Sequence, residues 1–229
     1  TSNPAFYTLF SISSHHPFNI PDSLKSLFLS DEHKYYQALH YSDWSLGQFF
    51  EKSKKKKWFK NTIFIVVADH TLNGESFSQE HQKRAKNWYQ NRVGLYSIPI
   101  LFYNPNFEVS RTVTTPFSQV DVAASILEIA GYTGSTISWG TPTSALSYEN
   151  YCFEFVNGIY QIHNEQHVVL FDGQNSLGIF DFMTDITFDN DLRNNENLSE
   201  LHDLMLYKLK GAIQQHHARM VQNRLFVKE

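Results

Sequence analysis

No part of this 229-residue sequence limits the possible folds as strongly as the run Thr62-Ile-Phe-Ile-Val-Val-Ala68, seven residues without a charge and rich in β-branched types. An uncharged stretch of strand length, closed abruptly by Asp69-His70, predicts a strand covered on both faces. The residues ahead of it fit a layered arrangement. Aromatic and apolar residues fill a strand length over Ala5 to Ser13, and Tyr36, Leu39, Leu46, Phe49 and Phe50 share one side of a helix between about Asp31 and Lys57. Strand, helix and strand in this order predict a right-handed parallel crossover. The expected fold class is therefore α/β, a mostly parallel sheet flanked by helices.

Further along, Ile98 to Tyr103 supplies a short strand with Asn104-Pro105-Asn106 as its turn, and Val120 to Ala130 an amphipathic helix stopped by Gly131. Between them, Thr71 to Val93 is polar and without a clear period, as in a loop or irregular helix. Beyond Ser138 the character changes. Tyr151 to Val156 and His167 to Phe171 read as antiparallel partners, with turns at Asn157-Gly158 and Asp172-Gly173. A long terminal helix extends from about Leu198 to Leu225, with Leu201, Leu204, Leu206, Leu209, Ile213 and Met220 as its packing stripe. The expected organisation is an α/β core over 1–140 and, over 141–229, a small antiparallel sheet and terminal helix packed on the same domain. Because Ala5 already opens a strand-like run, the chain is expected to be the carboxyl-terminal part of a larger domain.

Composition removes several function classes. Aromatic residues make up 15% of the chain, with 19 phenylalanines, which excludes disorder. Nineteen basic residues against 23 acidic ones, with no arginine-rich stripe, argue against nucleic acid. The single cysteine, Cys152, excludes an intramolecular disulfide or a multi-cysteine zinc site and reads as a buried strand residue. No stretch approaches the ~18 apolar residues needed to span a bilayer. Lys52 and the run Lys54 to Lys57 suit the negative end of a helix, and contact with anionic lipid is the alternative.

The strongest chemical signal is Asp69-His70 at the carboxyl end of the uncharged run. Ligands of open α/β sheets bind beyond such strand ends. Carboxylate oxygen and imidazole nitrogen together suit a divalent cation that polarises a phosphoryl or sulfuryl oxygen. The plain alternative is equally compatible with spacing alone: Asp69 caps the next turn and His70 is a satisfied structural histidine. A second cluster, Ser13-Ser14-His15-His16 before Pro17-Phe18, ends the first apolar run. A histidine there can donate to an anionic oxygen or move a proton, or simply finish a loop. Glu75, Glu80 and His81 lie in the polar stretch, where a substrate channel and a plain surface explain them equally well.

Five blocks occur in register: Phe10-Ser-Ile-Ser-Ser-His-His-Pro-Phe18, Ala38 to Gly47 with Phe49-Phe50, Asn61 to His70, Ile98 to Tyr103, and Gln119 to Leu127. Together, over about Ala5 to Gly140, they resemble the lipoteichoic acid synthase and phosphoglycerol transferase group of the sulfatase-like alkaline phosphatase superfamily. The resemblance implies a single divalent cation, manganese first, with magnesium, calcium or zinc as alternatives, held by a glutamate, a threonine nucleophile and an Asp-His pair. Asp69 and His70 match that pair. His15, with His16 as a possible substitute, matches a histidine that contacts substrate phosphate. Nothing in Thr1 to Ser14 matches the glutamate or the threonine, so this chain alone is expected to bind metal weakly, if at all, and not to turn over. The activity implied is phosphoglycerol transfer or phosphodiester cleavage on a phosphatidylglycerol-like lipid. Alternatives are a sulfatase or phosphatase of the same superfamily and a non-catalytic module binding an anionic glycan or lipid head group. The setting implied is an inner or cytoplasmic membrane protein with an extracytoplasmic catalytic domain, anchored through a region ahead of this chain.

Overall fold

The computed structural model describes residues 4–28, 34–71, 92–145 and 150–225. Their contacts divide the chain into two compact units, Thr1–Ala68 with Pro99–Ser110 and Asp69–Ile98 with Arg111–Glu229.

In the first unit, helix α1 (Lys34–Ser53) precedes strand β1 (Phe64–Val67), which pairs with β2 (Ile100–Tyr103). The pairing is antiparallel, with Phe64 opposite Tyr103 and Val67 opposite Ile100. A mostly parallel sheet is therefore not what forms, since both sheets among the described residues are antiparallel. The uncharged run located the strand but carried no information on its direction, which depends on how the connecting chain returns. Phe64 packs against Phe50, Phe59 and Tyr103, with ring centroids 5.1, 5.3 and 6.1 Å apart, so aromatic residues fix the helix to the two-stranded sheet.

Ala5 to Ser13 is not a strand. Phe6, Tyr7, Leu9, Phe10 and Ile12 are all more than 70% exposed. A strand needs a ladder partner for its backbone groups, and no described strand pairs with this segment. Its composition matches a buried strand, but nothing described covers it.

The second unit holds α2 (Gln119–Ile129) and a four-stranded meander, β3 (Cys152–Val156), β4 (Ile159–His163), β5 (His167–Phe171) and β6 (Ser176–Asp181), with α3 (Glu196–Val221) after it. Helix α2 starts where Ser118 N–H donates to Asp121 Oδ2 at 2.7 Å, and it stops at Gly131, whose φ of 71° is left-handed. The strands expected over Tyr151 to Val156 and His167 to Phe171 exist but are not direct partners, because β4 lies between them. The reversal from β3 to β4 uses Asn157 and Gly158, both at positive φ as a tight hairpin turn requires.

One face of this sheet packs Ile162, Val169, Phe171 and Ile179 against Met205 and Leu209 of α3, all buried. The other buries Val168, Leu170 and Phe180 with Val93 and Phe182. The packing stripe of α3 differs from the leucine pattern. Leu201, Leu206, Leu209 and Ile213 pack inward with Met205, whereas Leu204 and Met220 face solvent. No described helix is long and apolar enough to cross a membrane.

Candidate functional site

Asp69 and His70 lie just beyond β1, where the apolar run gives way to polar residues. Both side chains are exposed, Asp69 at 55% and His70 at 71%, so neither is a core residue. Their position is held by the backbone around them. Gln119 Nε2, at the first residue of α2, donates to the Asp69 carbonyl at 2.8 Å, and Thr71 Oγ1 donates to the Leu95 carbonyl. The His70 N–H donates to Asp69 Oδ1 at 2.9 Å.

The imidazole is oriented from behind. His70 Nδ1 stands 2.8 Å from the Thr71 carbonyl, and since a carbonyl only accepts, Nδ1 carries the hydrogen. Nε2 then faces Asp69 Oδ2 at 3.5 Å. A carboxylate oxygen and an imidazole nitrogen turned toward each other, with Nδ1 committed to a carbonyl, are donor types that can hold a divalent cation. The pair fits two donors of such a site. Among the described residues no third His, Cys, Asp or Glu joins it.

His15 occupies a turn in the first unit. Its N–H donates to Ile12 O at 3.0 Å, and Phe18 N–H donates to His15 O at 2.8 Å. His15 Nδ1 donates to the His16 carbonyl at 2.8 Å, which leaves Nε2 to reach outward. His16 is also exposed and sets its ring edge-on to Phe18 at 5.6 Å, and Phe18 in turn meets Tyr35 at 5.6 Å. Aromatic contacts thus anchor the turn, and both histidines remain exposed on it. Glu75, Glu80 and His81 lie outside the described residues.

Two features escaped the sequence. Gln119 as the anchor of Asp69 joins residues fifty apart, and nothing local marks it. The second is a polar cluster inside the small sheet. Cys152 lies opposite His163 and Glu154 opposite Gln161 on β3 and β4. Gln161 Nε2 donates to Glu154 Oε2, and Glu154 Oε1 lies 3.7 Å from His163 Nε2. Burial opposes charge on His163, but Cys152 and Glu154 outweigh it and push its pKa up to about 10. Recognising β4 from the Asn157-Gly158 turn would have brought these four residues onto one face.

The sulfatase family model matches residues 1–132, more than half of the chain. The chain is 25% identical over 150 residues to lipoteichoic acid synthase 1 of Bacillus subtilis (strain 168), covering 60% of this chain and 23% of that protein. Among solved structures it superposes on an alkaline phosphatase superfamily protein from Vibrio parahaemolyticus with a TM-score of 0.71 at 20% identity, covering 94% of this chain and 49% of the other. The lipoteichoic acid synthase structure from Listeria monocytogenes gives 0.68 at 21%, covering 90% and 52%. The chain therefore has an alkaline phosphatase-like fold, and it spans about a quarter of that curated relative and about half of those solved chains.

Proposed function

Since this chain belongs to the sulfatase family and is related to lipoteichoic acid synthase, we propose that it is the carboxyl-terminal portion of a metal-dependent phosphoglycerol transferase or phosphodiesterase. The whole protein would act on a phosphatidylglycerol-like lipid through a threonine nucleophile outside this chain, from an extracytoplasmic domain at a membrane. The observation that carries the reading is the exposed Asp69–His70 pair beyond β1, with Nε2 and Oδ2 turned toward each other.

In this reading Asp69 and His70 hold a divalent cation, manganese first, with the remaining ligands supplied from outside the chain. A cation so held supplies Lewis-acid polarisation of a phosphoryl oxygen and lowers the pKa of a bound hydroxyl. The chain's own residues prepare for this. The Thr71 carbonyl keeps the hydrogen on His70 Nδ1 and the lone pair on Nε2, and Gln119 steadies the Asp69 backbone. His15, with Nδ1 committed to the His16 carbonyl, has Nε2 available to donate to a phosphoryl oxygen when protonated, or to move a proton there. Hydrolysis of a sulfate or phosphate ester is the second reading, favoured by the family model itself.

The test is manganese titration of the purified chain, read by calorimetry. Weak binding is expected, lost in both Asp69→Ala and His70→Ala. Unchanged affinity in both variants would remove the basis for the assignment.

A further inference from the structure

Six lysines, Lys52, Lys54, Lys55, Lys56, Lys57 and Lys60, fall within nine residues of a chain whose net charge is -4. The carboxyl end of a helix favours a cation in its last turn, and Lys52 fills that role. Helix polarity does not account for the other five, because α1 ends at Ser53 and four consecutive lysines lie beyond it.

Nor is this a loose tail. Lys54 N–H donates to Phe50 O at 2.9 Å, Lys56 N–H to Ser53 O at 2.8 Å, and Asn61 N–H to Trp58 O at 3.0 Å. The turn after β2 clamps the segment from the side. Asn104 Nδ2 donates to Thr62 O at 2.9 Å, and Asn106 Nδ2 to Lys60 O at 2.8 Å. Phe59 is buried against Phe64 and Tyr103 as the anchor beneath. All six lysine side chains point into solvent, and among the described residues Glu51, beside Lys54, is the one carboxylate within ion-pair distance of any of them. Like charges held this close repel one another, so an ordered backbone displaying them stores an attraction for an anionic surface.

Exposed aromatic groups accompany the lysines. Trp58, in the middle of the lysines, is 47% exposed, and so is much of Phe107, on the turn whose Asn106 holds Lys60. Lysines with long apolar stems around partly exposed aromatic rings match the boundary layer of a bilayer, whereas a soluble polyanion needs the charges alone. We infer that residues 52–60 together with Phe107 dock on a bilayer surface carrying anionic phospholipid. The lysines meet headgroup phosphates, and Trp58 and Phe107 enter the headgroup layer. This surface is independent of the reaction proposed above, since it rests on charge, exposure and backbone order in the first unit alone.

The experiment mixes the 229-residue chain with vesicles of phosphatidylcholine, alone or mixed with phosphatidylglycerol, and reads the bound fraction by sedimentation. Binding is expected only with phosphatidylglycerol, and it should weaken as salt rises. Replacing Lys55, Lys56 and Lys57 by glutamine is expected to lower the partition coefficient about a hundredfold, at roughly fivefold per lysine. Replacing the same three by arginine should preserve binding, and Trp58→Ala should weaken it severalfold while keeping its salt dependence. Circular dichroism separates lost binding from lost fold. If the triple glutamine variant does not fold, Lys55→Gln and Lys57→Gln singly, each about fivefold weaker, make the same test. Equal binding to both vesicle types, full binding by the glutamine variants, or preference for soluble polyphosphate over vesicles would overturn the inference.

Discussion

His163 shows how far a strand partner can change a side chain. Facing Cys152 across the β3–β4 ladder and 3.7 Å from Glu154, it keeps a proton despite burial, with its pKa pushed up from 6.5 to about 10. A group that binds its proton more tightly when folded adds stability that is complete below pH 6.5 and is lost as pH rises through about 10. The thermal midpoint of the chain is therefore expected to fall across that interval, and His163→Gln should flatten the decline. An equal decline in the variant would mean that another group is responsible. Asp69 and His70 present the opposite case: exposed, adjacent in sequence, and given their mutual orientation by the Thr71 carbonyl.

Among the elements, α3 shows where periodicity misleads. Leucine count and spacing favour Leu204 and Met220 as core positions, but the face that meets the sheet is set by where Ile162, Val169 and Ile179 stand, and it admits Met205 and Leu209. Met205→Ala is expected to cost ~2–5 kcal/mol in urea unfolding, because the cavity left under the sheet cannot collapse. Leu204→Ala should cost less than ~1 kcal/mol. Comparable losses in the two variants would argue against this register of the helix. Helix α2 was easier to read, since its apolar face and the stop at Gly131 are local signals. In the structure Asp121 does more than cap: its Oδ1 accepts from Thr141 N–H at 2.7 Å, tying the loop at 141–144 to the helix.

For the molecule as a whole, the segment Phe6 to Ile12 is the outlier, with five large apolar side chains mostly in water. Exposed apolar runs without charge promote association. The purified chain is expected to bind an apolar fluorescent dye and to self-associate with rising concentration in sedimentation. Replacing Phe6, Leu9 and Ile12 by serine should reduce both. A strictly monomeric, dye-silent parent chain would show the segment to be covered.

The position of β1, the polar break at Asp69-His70, the turn bearing His15, helix α2 with its stop at Gly131 and the hairpin turn at Asn157-Gly158 were all legible in the sequence. Each depends on residues close together in the chain, where propensity, capping and turn chemistry act directly. Strand direction, the insertion of β4 between β3 and β5, the inward face of α3, the anchoring of Asp69 by Gln119 and the charge on His163 were not legible. Each of these depends on which distant residue arrives opposite, and that is settled by the competition of whole surfaces for burial and of backbone groups for partners, which no local pattern records.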